Sequence, residues 1–137
     1  MNDRLYHDTL MEAARQATGH GRLAKPDASA TVDNPLCGDR VTIDLRCEAG
    51  RIAEIAHDVR GCILCRASAS VLAREAVGLD RTEAAAKRAG MEALLSDGAL
   101  PATPAFEPFR PVAPYRSRHD CVLLPFRALE RALGDVG

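Results

Sequence analysis

At 137 residues the chain has room for one domain around one modest hydrophobic core, and none for a second catalytic domain. Apolar residues make up 47% of it and charged residues 27%, the balance of a soluble globular protein rather than a disordered or membrane-spanning one. The net charge is only −1, and the excess of 16 Arg over 2 Lys reflects genome composition rather than phosphate recognition, which argues against nucleic acid as a partner.

Along the chain, Leu5, Met11 and Ala14 recur at helical spacing among polar residues and predict an amphipathic helix over residues 3–16. Residues 19–34, rich in Gly, Ala, Ser, Pro and Asp, read as a surface connection leading into the turn NPLCGD. RVTIDLRC then alternates, with Val41, Ile43, Leu45 and Cys47 on one side and Thr42, Asp44 and Arg46 on the other, the pattern of a strand buried on one face. EAGR supplies a turn, IAEIAHDV is a less cleanly alternating return strand, and VRGC offers the start of a third. After Gly61 the period changes, and CILCRASASVLAREAVG reads as a helix stopped by Gly78, whose small residues 67–70 let its backbone press close to the sheet.

Asp80, three residues before Glu83, forms a capping-box pattern that opens another helix. Prolines at 101, 104, 108, 111 and 114 predict an extended or irregular connection after it. In VLLPFRALERAL, Val122, Phe126, Leu129 and Leu133 share one helical stripe, and Pro125 belongs in that helix's first turn. Strands in one block and helices in another imply an α+β fold: a single domain over residues 1–137, with helices packed on one face of a small antiparallel sheet of about three strands.

Five cysteines, at 37, 47, 62, 65 and 121, cannot all pair and are too few for a disulfide-stapled secreted scaffold, so they read as reduced thiols. The charged N-terminal stretch has no apolar run of signal-peptide length, and no segment approaches the roughly 20 apolar residues of a membrane span. A cytoplasmic location is therefore expected, without a membrane partner.

Three of the thiols share a setting. Cys37 lies in the turn before a strand, Cys62 at a strand-to-helix junction and Cys121 directly before the last helix. Free N–H groups and the helix dipole favour thiolates at Cys62 and Cys121, which predicts lowered pKa values there. Gly38 permits a tight turn and Asp39 offers a carboxylate oxygen, so three thiolates and one carboxylate could make a four-coordinate set for zinc or iron.

The separations of 25 and 59 residues are not zinc-finger spacings, however, and a cytoplasmic cysteine also reads as a small buried hydrophobe. Cys47, on the apolar face with Ile43 and Leu45, takes that reading. Cys62 and Cys65 form a C-x-x-C at a helix start, where a thioredoxin-type redox pair would sit, although a hairpin rather than a βαβ unit precedes it. Cys65 could also serve as a spare ligand on the same helix face, and His119 is a second candidate of that kind, whereas His20 and His57 read as structural or surface residues.

The segments NPLCGDRVTIDL, GCILCRASAS and RSRHDCVLLPFRALERAL, with LY near the start, resemble the iron-sulfur cluster assembly scaffold family of IscU and the N-terminal domain of NifU, most closely its SufU branch. The resemblance spans nearly the whole chain and implies a SufE/NifU/IscU-like fold. It further implies that Cys37, Asp39, Cys62 and Cys121 converge as a metal set holding Zn or a transient [2Fe–2S] cluster. The long segment before Cys121, Asp120 in place of a histidine, Arg118 three residues before Cys121, and the lack of an L-P-P-V-K motif point to the SufU side. The chain departs from the family pattern in lacking an H-Y-x-x-P-R-N segment after the first helix and in carrying Cys65 where a non-thiol residue is usual.

On this resemblance the protein is a sulfur acceptor or scaffold rather than an ordinary enzyme. It would take sulfur onto Cys37 from a SufS-like cysteine desulfurase and pass it to downstream assembly proteins or apo-proteins, with Asp39 as the weak, exchangeable ligand. Two readings from other classes stand beside it: a thiol redox protein using Cys62 and Cys65, and a non-catalytic zinc-stabilised interaction domain.

Overall fold

A computed structural model describes residues 3–136, and its elements follow in chain order. Helix α1 spans Asp3–Gln16, strands β1, β2 and β3 span Ala28–Asn34, Asp39–Glu48 and Arg51–Arg60, and helices α2 and α3 span Ile63–Ala76 and Arg81–Asp97. Two 3₁₀ segments, Pro104–Val112 and Arg116–Arg118, lead into helix α4, His119–Gly134. The three strands form one antiparallel sheet in the order β1-β2-β3, so the expected α+β architecture is the one found.

The β2–β3 hairpin turns through Ala49 and Gly50, both at positive φ (53° and 79°), as a two-residue type I′ loop requires. In β3 the register shifts opposite Arg46 and Cys47, so that Ile52 pairs with Cys47 while Ile55 pairs with Leu45. This bulge returns Ile52 to the core side and explains the imperfect alternation of IAEIAHDV.

The third strand is not VRGC, because Val59 and Arg60 complete β3. It is β1, within the stretch expected to be a surface connection. Ala28, Ala30 and Val32 pair with Leu45, Ile43 and Val41 and continue the core face of β2. Helix α4 covers β1 and β2 on that face and α2 covers β3, while α1 packs on α2 and α3 on α4. On the opposite face the buried carboxylate of Asp44 accepts hydrogen bonds from Arg22 Nε (2.7 Å), Ser29 Oγ (2.6 Å) and Leu23 N–H (3.0 Å), pinning the α1–β1 connection across the sheet.

The proline-rich stretch is not extended. Its 3₁₀ segment buries Phe106, Phe109 and Val112, whose spacing of three residues matches the 3₁₀ repeat, and the fixed φ of proline suits that conformation. Phe106 meets Phe126 of α4 edge to face, with centroids 5.5 Å apart. The stripe of Val122, Phe126, Leu129 and Leu133 is buried as expected. Pro125, however, falls in the second turn, because α4 already begins at His119. It has no N–H to give to the Cys121 carbonyl four residues back, and on the next residue Ser68 Oγ of α2 donates to the Val122 carbonyl at 2.5 Å. That bond ties α2 to the opened start of α4.

Candidate metal and sulfur site

The β1–β2 turn is shaped by Asn34, whose Oδ1 accepts from Leu36 N–H (3.1 Å) and whose carbonyl accepts from Gly38 N–H (2.8 Å). Gly38 sits at φ +77°, a conformation that glycine adopts without strain. This turn lifts Cys37 to the surface beside Leu36, which is 91% exposed. Asp39, two residues on, opens β2 and is only 4% exposed.

The link from β3 to α2 passes directly over that carboxylate. A Cβ added at Gly61 would lie 2.7 Å from Cγ of Asp39 and 2.8 Å from its Oδ1, so only glycine fits there. The next residue, Cys62, is the N-cap of α2, with extended φ and ψ and no side-chain capping bond. Its Sγ instead donates to Asp39 Oδ2 at 3.7 Å. Cys121 is the third residue of α4 and is 3% exposed.

One ligand atom each from Cys37, Asp39 and Cys121 lies within 4.8 Å of the others. The fold thus brings together the four residues singled out from the sequence, three as a compact triplet and Cys62 through its bond to Asp39. Cys65, one turn into α2, is wholly buried under them. His119 does not join the triplet: its Nε2 lies 2.8 Å from the Ala113 carbonyl and fastens the 3₁₀ stretch to α4. Cys47 stands at the other end of β2, half-buried on the core face, with its N–H bonded to Asp27 Oδ2 at 2.7 Å.

Burial pushes the Cys121 thiol well above its ordinary pKa, and the nearby Cys62, Cys37 and Asp39 push it further. Cys65 moves the same way, again mainly through burial and then through Asp39 and the other site thiols. The lowering expected at Cys121 from its helix end is therefore outweighed by desolvation and by crowding with groups that become negative. Only a cation placed among them would reverse this, since a coordinating thiol is deprotonated outright.

The model of the NifU-like N terminal domain matches residues 5–106, about three quarters of the chain. The chain belongs to the NifU-like N-terminal domain family. The match includes Cys37, Asp39, Cys62 and Cys65, and Cys121 lies beyond it. The IscU- and NifU-like family expected from the motifs is the one found. The iron-sulfur cluster assembly scaffold protein IscU of Streptococcus pyogenes serotype M1 is 26% identical over 132 residues, which cover 94% of this chain and 82% of that protein.

Among solved structures, a nitrogen-fixing NifU-like protein (N-terminal) from Brucella abortus superposes with a TM-score of 0.88 at 34% identity, covering 98% of this chain and 95% of the other. A protein described as an iron-sulfur cluster assembly scaffold for the SUF system, from Fervidobacterium islandicum AW-1, shares the NifU-like fold. Its TM-score is 0.86 at 24% identity, over 97% of this chain and 99% of that one.

Proposed function

We propose that this protein accepts sulfane sulfur from a cysteine desulfurase and serves iron-sulfur cluster assembly, with Cys37, Asp39, Cys62 and Cys121 as the metal- or cluster-holding set. The convergence of Cys37, Asp39 and Cys121 within 4.8 Å carries this reading. Sulfur ligands around one zinc ion, each at about 2.3 Å, stand about 3.8 Å apart, so a shift of about 1 Å brings this triplet to coordinating distance. The three sulfurs suit zinc or an iron-sulfur cluster, and the oxygen of Asp39 is the weaker, exchangeable donor. Zinc bound here would supply the positive charge that holds the sulfurs as thiolates.

The chain's own part in sulfur transfer follows from depth. Cys37 is the exposed member of the set and the one a partner's persulfide can reach. Its sulfur attacks the outer sulfur of the donor, a new S–S bond forms on Cys37, the donor's S–S bond breaks, and the proton from Cys37 passes to the departing donor thiolate. A SufU-like assignment is supported by Arg118, three residues before Cys121, and by the long packed segment between Cys62 and Cys121.

The decisive assay combines the protein with a cysteine desulfurase and free cysteine. Stimulated turnover and a persulfide on Cys37 by mass spectrometry are expected; no stimulation and no persulfide on any cysteine would sink the proposal. Elemental analysis of protein purified without oxygen separates a colourless zinc-bound carrier from a brown iron-loaded scaffold.

A further inference from the structure

The site holds one thiol more than sulfur acceptance requires. Cys62 is the N-cap of α2, which makes the wholly buried Cys65 the third residue of that helix. A side chain at the N-cap lies over the third helical residue, as Asp80 does in α3, where its Oδ1 accepts from Glu83 N–H at 2.8 Å. Cys62 has the same extended N-cap backbone, φ −72° and ψ 170°, but its sulfur makes no capping bond. It donates to Asp39 Oδ2 at 3.7 Å instead, and a change of the Cys62 rotamer turns it toward the Cys65 side chain. Cys62 and Cys65 therefore share the first turn of α2, beside the cluster of Cys37, Asp39 and Cys121.

The chemistry of the cargo gives such a pair a task. Sulfane sulfur is formally zero-valent and the sulfide of an iron-sulfur cluster is two electrons more reduced, so each transferred atom must gain two electrons. We propose that Cys65 is the resolving thiol that releases this sulfur as sulfide, an inference that rests on the sulfur-accepting reading above. Sulfur passes from Cys37 to Cys62 when the Cys62 sulfur attacks the outer sulfur on Cys37, with no net redox change. The Cys65 sulfur then attacks the inner sulfur, on Cys62. A Cys62–Cys65 disulfide forms, the bond to the outer sulfur breaks, and that atom leaves as hydrosulfide carrying the proton of the Cys65 thiol. The two cysteine sulfurs give up two electrons and the outer sulfur takes both. A dithiol reductant resets the pair, and while the disulfide stands Cys62 is withdrawn from the metal set.

The test is a single turnover without oxygen or added reductant. The full chain is loaded with sodium tetrasulfide, desalted, and followed by mass spectrometry and by sulfide assay. The wild-type chain is expected to release one sulfide for each Cys62–Cys65 disulfide formed. Cys65→Ser is expected to keep its persulfide and release sulfide roughly tenfold more slowly or less. Equal release from both chains, or sulfide release from the wild type without that disulfide, overturns the role of Cys65 while leaving sulfur acceptance intact. Failure of the wild-type chain to take up sulfane sulfur overturns both. The disulfide measurement needs only the wild-type chain, so the inference stays open to refutation even if the variant does not fold.

Discussion

Gly61 and Asp39 are matched at the level of single atoms, because the glycine has no Cβ to strike the carboxylate beneath it. Gly61→Ala is expected to displace Asp39 and lower the zinc or iron retained after gel filtration, with an unchanged far-ultraviolet circular dichroism spectrum. Cys37→Ser, Cys62→Ser and Cys121→Ser should each lower bound metal while Cys47→Ser does not; equal metal content in all four variants would refute the ligand set. Asp39→Ala should lower retained metal in the same way, since it removes one donor of the set. That Cys37, Asp39 and Cys121 come together was legible because each stands in a short motif. The contact of Gly61 with Asp39 was not, because it forms only when the ends of β1–β2 and β3–α2 meet. The direction of the Cys121 pKa was also hidden, since its local cue, a helix end, is overruled by burial that no neighbour in sequence reports.

Two elements were misread for physical reasons. In β1 the core positions are taken by Ala28 and Ala30, whose side chains are too small to mark an apolar alternation, although their partners Leu45 and Ile43 are wholly buried. In the proline-rich stretch the turn signals were counted, but the three-residue spacing of Phe106, Phe109 and Val112 was the stronger cue. Those aromatics make the segment part of the core, and Phe106→Ala should cost about 3 to 5 kcal/mol in urea unfolding. An unfolding free energy unchanged by that substitution would mark the segment as a loose connection after all. Ser68→Ala removes the buried bond to the Val122 carbonyl, and a loss of about 1 to 3 kcal/mol is expected. The cleanly alternating or capped elements, β2 and α3 among them, were legible because local propensity and tertiary packing agree there.

For the molecule as a whole, two buried groups set how stability follows pH. His57, on β3, is 3% exposed, and its Nε2 lies 2.7 Å from the Thr18 carbonyl while its Nδ1 has no partner. Burial lowers its pKa below the ordinary 6.5, with His20 adding to the effect against the Thr18 bond and Asp58. The unfolded chain therefore binds this proton more readily. The contribution is fully present above about 6.5 and is lost as pH falls below that value, so the urea midpoint should drop between about pH 7 and pH 5. A flat midpoint over that range would refute it.

Asp44 follows at lower pH. Burial alone would raise its pKa, but bonds from Arg22, Ser29 and the Leu23 N–H more than offset this and hold it below 3.8. Its stabilisation is complete above that value and is lost as pH falls through the lowered one. Both groups hold the chain between α1 and β1 against the sheet, so acid should loosen this stretch early. The graded burial of the cysteines, with Cys37 exposed, Cys62 half-covered and Cys65 and Cys121 enclosed, also acts as a clock. An alkylating reagent added to the metal-free protein should mark them in that order, and any molecule that seals the mouth of the site should delay the first mark most.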